Sequence, residues 1–151
     1  MASQPIVRGT LFRLNRSTSN PVASPAVYNY VCSAITLSFS QKQVLEDATV
    51  ADCAAPTATP TRAAVIKERM WELTVSGKMD PLGADLMEQD YNADAPYPYQ
   101  VIRDLAGSAG GATWQGNVWI TDLTLAKNDN GIVTFTATMQ GDGPLTKTAL
   151  A

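Results

Sequence analysis

The chain has 151 residues, 45% of them hydrophobic, a length and composition that fit one domain with a single core and exclude a disordered polymer. Its formal net charge of −3 excludes the strongly basic footprint of a nucleic-acid binder. With no histidine, the chain lacks the usual general base, the Ser-His-Asp and Cys-His arrangements and the commonest zinc ligand.

In chain order, "MASQPIVRGTLFRLNR" has no long apolar run after its basic residues, so it is expected to be neither a signal peptide nor a membrane span. Residues 6–14 alternate loosely and predict a first strand. "STSNPVASPA" is a polar, proline-punctuated connection. Residues 27–41 alternate with period two, which predicts one continuous strand: Val31, Ser33, Ile35, Leu37 and Phe39 share one face, and Cys32, Ala34, Thr36, Ser38 and Ser40 the other. Residues 42–65 are rich in Ala, Thr and Pro and read as a long loop. A connection of that length within a small domain points to a role, and its apolar residues Val44, Leu45 and Val50 point to docking.

"KERMWELTVSGKM" predicts a second clear strand, with Trp71, Leu73, Val75, Gly77 and Met79 opposite Met70, Glu72, Thr74, Ser76 and Lys78. "DPLGADLMEQDY" predicts the helix, with Asp80 as N-cap, Pro81 at the first helical position and Leu82, Leu86 and Met87 as its apolar stripe. After a Pro-aromatic loop, residues 99–105 favour a strand. "ATWQGNVWITDLTLAKN" is another strand, whose apolar parity changes between Ile120 and Leu123 and predicts a bulge near Asp122. Asn130-Gly131 is a hairpin signal. The returning strand has Val133, Phe135, Ala137 and Met139 facing the core and Thr134, Thr136, Thr138 and Gln140 facing away. The sum is a mainly β fold: an antiparallel β-sandwich or half-barrel with one flanking α-helix.

No residue constellation supports catalysis. The carboxylates Asp80, Asp85, Glu88 and Asp90 read as a solvated helix face. "GSAGG" lacks the context and the lysine of a phosphate loop. "NDNGIVTF" lacks calcium-ligand spacing, and no metal or cofactor is expected. The two cysteines, Cys32 and Cys53, form no C-x-x-C pair and are expected to be reduced. Trp71, Trp114, Trp119, Tyr91, Tyr97 and Tyr99 could form a sugar-stacking platform, although core and interface packing is their ordinary use.

What stands out is a mild, mostly uncharged second strand face: Thr36, Ser38 and Ser40; Glu72, Thr74, Ser76 and Lys78; Thr134, Thr136, Thr138 and Gln140. A monomer in bulk water scatters Lys and Glu over such a face, and long edges without charged gatekeepers invite pairing. Pairing by neighbouring copies around a larger barrel reconciles the two.

Residues 27–145 also carry an ordered pattern: a Thr/Ser strand, a long Ala/Pro loop, "W-x-L-x-V-x-G" from Trp71, an acidic helix, "WQGNVWITDL" from Trp114, and "VTFTATMQGDGPL" from Val133. This pattern resembles the major tail tube proteins of long, non-contractile-tailed bacteriophages and of gene transfer agents. The resemblance implies a structural virion protein, not an enzyme. Hexameric rings would stack into a tube for DNA delivery, each subunit giving four strands to a shared 24-stranded barrel. The hydroxyl-rich residues above, with Glu72 the one acid among them, would face the lumen, and Lys78 departs from that character. The 42–65 loop, with Val44, Leu45, Val50, Asp52 and Arg62, would contact the adjacent ring. Implied partners are other copies of the chain, a tape measure protein, tail tip and tail terminator proteins, and double-stranded DNA in transit without specific binding, with no membrane. Assembly would take place in the host cytoplasm and the product would be the virion tail. Twenty-four strands ~4.8 Å apart and tilted ~40° close a barrel of about 48 Å backbone diameter, wide enough for a DNA duplex of roughly 20 Å. The competing readings are a monomeric carbohydrate-binding or adhesin sandwich, and a related tube protein such as a secretion-system tube or a tail terminator.

Overall fold

The period-two runs form seven strands of one antiparallel sheet. The structure, a computed structural model, describes residues 9–31, 36–50, 53–78, 80–127, 129 and 131–151. The strands are β1 (Phe12–Ser17), β2 (Tyr28–Tyr30), β3 (Thr36–Asp47), β4 (Ala64–Lys78), β5 (Tyr97–Arg103), β6 (Ala112–Lys127) and β7 (Val133–Ala149), with the helix α1 (Pro81–Asn92) between β4 and β5. Their order is β2-β1-β5-β6-β7-β4-β3, an open sheet with β2 and β3 at its margins.

The sheet curls. Leu14 of β1, Val101 of β5, Leu73 and Val75 of β4, and Phe135, Ala137 and Met139 of β7 belong to one buried cluster, so the two halves of the sheet face each other across a shared core. β1 comes close to β3 without hydrogen-bonding to it. This is the half-barrel expected from the alternation. The bulge predicted near Asp122 is present, with the register shifting between Ile120 and Asp122. A second shift, between Gln115 and Asn117, lies opposite the bend of β7 at Gly143, whose φ is 77°.

Three expectations are corrected. The run 27–41 is not one strand: Tyr28–Tyr30 pairs with β1, whereas Thr36–Asp47 pairs with β4. Periodicity reports which face a residue takes and not which strand it joins. The 42–65 segment is not all loop, since β3 runs to Asp47 and β4 begins at Ala64, leaving 48–63 as the connection. Weak alternation there reflects a hairpin exposed on both faces. The predicted first strand at 6–14 begins at Phe12 among the described residues, after a short 3-10 turn.

The helix starts as predicted: the Asp80 carboxylate accepts a hydrogen bond from Gly83 N at 3.2 Å and Pro81 opens the helix. Its buried stripe is Ala84, Met87 and Asp90 rather than Leu82 and Leu86, which are exposed. The cause is an ion pair. Arg16 on β1 donates two hydrogen bonds to Asp90, Nε to Oδ2 at 2.8 Å and a terminal nitrogen to Oδ1 at 2.7 Å. Tyr99 OH donates to the same carboxylate at 2.5 Å, and the Arg16 guanidinium stacks on the Tyr97 ring at 3.9 Å. Asp90 is therefore an anchor and not part of the solvated helix face. Hydrogen bonding to Asp90 raises the Arg16 pKa, and burial first, then the Asp90 charge, raises that of Tyr99.

Candidate functional site

The hydroxyl-bearing residues occupy three neighbouring strands in register. Across β3, β4 and β7, Ser38 pairs with Thr74 and Thr74 with Thr138; Thr36 pairs with Ser76 and Ser76 with Thr136; Ser40 pairs with Glu72 and Glu72 with Gln140. Thr134 continues the face opposite Lys78. Because the core takes the alternate residues Leu73, Val75, Ala137 and Met139, all ten predicted residues share the face turned away from the core.

Strand β6 extends each row: Trp119 pairs with Gln140, Asp122 with Thr138 and Thr124 with Thr136. These three were not among the predicted residues. The signal that could have found them was the parity change at the bulge, which places Asp122 and Thr124 on the hydroxyl face once Thr121 is counted as the extra residue. The face thus spans four adjacent strands, β6-β7-β4-β3. Lys42, expected in the loop, lies on it too, and its Nζ pairs with Glu72 Oε1 at 2.9 Å. With both partners about a third exposed or more, that pair contributes little to stability, but it neutralises the one acid among the predicted residues. Asp122 and Lys78 are the other charges on these rows.

Both lateral margins of this four-stranded sheet are open. β3 is the last strand of the order, and β6 pairs with β5 over Ala112–Val118, so among the described residues its continuation to Lys127 has no strand on that side.

From one end of the sheet β3 and β4 continue as an arm. Residues 41–48 and 61–70 are exposed, including Val44, Leu45, Val65, Ile66 and Met70. Val50 beyond them is 79% exposed and Arg62 is exposed as well, whereas Asp52 lies outside the described residues. Thr49 N donates to Asp47 Oδ1 at 2.9 Å, turning the chain at the end of β3, and the hydrogen bonds from Thr49 lower the Asp47 pKa.

The arm separates from the body where β7 leaves β4, beyond the Glu72–Gln140 pair. Trp71 fills this fork. Its Nε1 donates to Gly143 O at 3.3 Å, and its ring packs edge-on to Phe39, which also approaches Trp114. A groove of about 700 Å³ opens beside it, lined by Met70, Trp71, Trp114, Pro144 and Leu145.

The aromatic residues do not assemble a sugar platform. Trp71 and Tyr99 are buried, Tyr97 packs on Tyr99, and Trp119 and Tyr91 are exposed on separate elements, the sheet face and the helix. Cys53 is a free, exposed thiol, and Cys32 lies outside the described residues. Among the described residues there is no cluster of metal-ligating side chains, and no helix is long and apolar enough to cross a membrane.

No family model matches the chain, and no curated protein matches it in sequence. Solved structures do match in shape. A subunit from the tail of an empty gene transfer agent particle, determined with helical refinement and C6 symmetry, superposes with a TM-score of 0.74 at 16% identity, covering 94% of this chain and 98% of that one. The SPP1 tail tube matches with a TM-score of 0.61 at 12% identity over 95% of this chain and 80% of that one. The tube-terminating cap of the anti-feeding prophage matches at 0.62 and 16% identity over 99% and 95%. The chain has the tail tube fold.

Proposed function

We propose that this chain is a structural tail tube subunit, acting by assembly and not by catalysis. Six copies form a ring, rings stack into a tube, and the hydroxyl-rich face lines the bore through which DNA passes. The observation that carries this reading is the four-stranded sheet with two open margins and an ordered, hydroxyl-rich face. Strand direction supports it. In an antiparallel order β6-β7-β4-β3 the two margin strands run in opposite directions, so β3 of one copy meets β6 of the next antiparallel and a closed barrel continues the pattern without a break.

The wall chemistry fits transit without grip. Cations would hold phosphates through counterion release, whereas Thr, Ser and Gln rows whose two cations, Lys42 and Lys78, are matched in number by two acids, Glu72 and Asp122, leave a duplex free to slide. The arm, with Val44, Leu45, Val50, Asp52 and Arg62, reaches the adjacent ring. The further partners of this reading are a tape measure protein, tip and terminator proteins, with assembly in the host cytoplasm and residence in the virion tail.

The test is negative-stain microscopy of the concentrated purified protein. Tubes of stacked rings are expected. Single rings that never stack would favour a terminator role, which the likeness to a tube-terminating cap keeps in view. A monomer at every concentration would overturn the assembly reading and favour a glycan-binding sandwich.

A further inference from the structure

Two of the most exposed apolar side chains stand at opposite ends of the molecule. Val50, on the connection beyond the arm, is 79% exposed, and Leu82, in the first turn of α1, is 78% exposed. β4 joins these ends, running fifteen residues from Ala64 in the arm to Lys78, just before Asp80 and the helix. At ~3.3 Å per residue that is about 45 Å, so the arm of one chain cannot cover the Leu82 of the same chain. Leu82 also borders a hollow of about 160 Å³, whose apolar wall is Tyr30, Val31, Leu86 and Met87 and whose polar wall includes Asp80 and the Asp90-bound Arg16. Tyr30 and Leu86 are themselves partly exposed there.

Two different apolar patches at opposite ends of one chain make a heterologous, head-to-tail contact, the kind that propagates a stack. Charge agrees with this pairing. Apart from Asp90, which is buried against Arg16, α1 carries Asp85 and Glu88 and no basic residue, and Asp80 precedes it. Arg62, exposed beside the arm, belongs to none of the salt bridges among the described residues, which involve Arg13, Arg16 and Lys42. We infer that the hollow at the start of α1 receives the 48–63 connection of a second copy in the next ring, Val50 seating against Leu82 and Leu86 with Arg62 on the acidic side of the helix. This rests on the tube reading and adds the receiving site to it.

Cys53 makes the contact testable, because it is exposed and lies three residues beyond Val50. In a full-length chain with Cys32→Ser, the substitution Leu82→Cys places a second thiol at the hollow. Mild oxidation of assembled tubes should then link chains serially into a ladder on a non-reducing gel, with at least about tenfold more cross-linked chain than without Leu82→Cys, and Cys53→Ser should abolish it. Leu82→Asp in the otherwise native chain should raise the concentration needed for tubes at least about tenfold while single rings persist. Tubes that form without a ladder, or a ladder that survives Cys53→Ser, would overturn the receiving site and leave the tube reading intact. Failure of the parent chain to assemble at all would overturn both.

Discussion

Gly141 leaves open the space that the indole of Trp71 occupies. A β-carbon added at Gly141 would stand 2.1 Å from Trp71 Cε2, and one added at Gly116 would stand 2.5 Å from its Cζ2. Two glycines from neighbouring strands thus form the seat of one tryptophan at the fork between arm and body. Gly141→Ala is expected to push Trp71 out of that seat, break its bond to Gly143 O and destabilise the fold by about 1–3 kcal/mol, the usual cost of overpacking. A lower thermal midpoint by circular dichroism and a red-shifted tryptophan emission would register it; an unchanged midpoint would show that the fork does not depend on this seat.

The Arg16–Asp90–Tyr99 cluster ties α1 to β1 and β5, and the Asp90 side chain is only 4% exposed. Asp90→Ala strands a largely buried guanidinium and a buried phenol, so a loss of about 3–5 kcal/mol is expected. Chemical denaturation gives the number directly, and a loss below 1 kcal/mol would mean that solvent reaches Arg16 in the folded state.

The same cluster sets an alkaline limit. The Tyr99 pKa is raised in the folded chain, chiefly by burial, and burial raises that of Tyr28 as well. A phenol whose folded pKa exceeds its unfolded value contributes stability that is complete below the unfolded pKa, about 10, and is lost as pH rises through the folded value. Stability should therefore be level on the acid side of that point, as far as these groups decide it, and fall above it. Tyr99→Phe should flatten the fall, at the cost of one hydrogen bond to Asp90. A denaturation series from pH 8 to 11 checks both, and equal slopes in the two proteins would refute the assignment.

How much of this was legible in the sequence follows from what alternation reports. Period two placed Thr134, Thr136, Thr138 and Gln140 on one face and Phe135, Ala137 and Met139 on the other, because burial on one side leaves that mark wherever a strand covers a core. It did not place Lys42, since the arm is exposed on both faces and nothing there forces alternation. It ran 27–41 together, because the same parity serves a strand beside β1 and a strand beside β4. The helix was readable from Asp80 and Pro81, but its orientation was not: Asp90 turns inward for Arg16, 74 residues away in sequence, and no local signal carries such a pairing. The glycines of "WQGNVW" and "QGDGP" stood out as a pattern, and their reason, room for Trp71, required three strands to be brought together.

If the hydroxyl face lines a bore, adding charge there should impair passage and spare assembly. Thr136 is exposed, pairs with Ser76 and Thr124, and lies at neither end of the face. Thr136→Lys would place six cations in each ring against passing phosphates. Intact tubes by microscopy with infectivity or DNA release reduced by about tenfold or more are expected. An unchanged titre would argue that the face lies elsewhere.

The arm makes the complementary prediction. The described residues of 48–63, which join β3 to β4, contribute nothing to the buried core, to which β4 gives Trp71, Leu73 and Val75 and against which Leu37 and Phe39 of β3 pack. Deleting 50–61 should therefore leave a folded subunit, with a thermal midpoint within a few degrees of the parent's, as a shorter loop costs little conformational entropy. Stacking should fail all the same. Analytical ultracentrifugation would then find rings or smaller species in place of tubes, and the ring-closing margins on β3 and β6 would be separated experimentally from the ring-stacking arm. Tubes of ordinary length from the deleted chain would place the stacking contact outside residues 50–61.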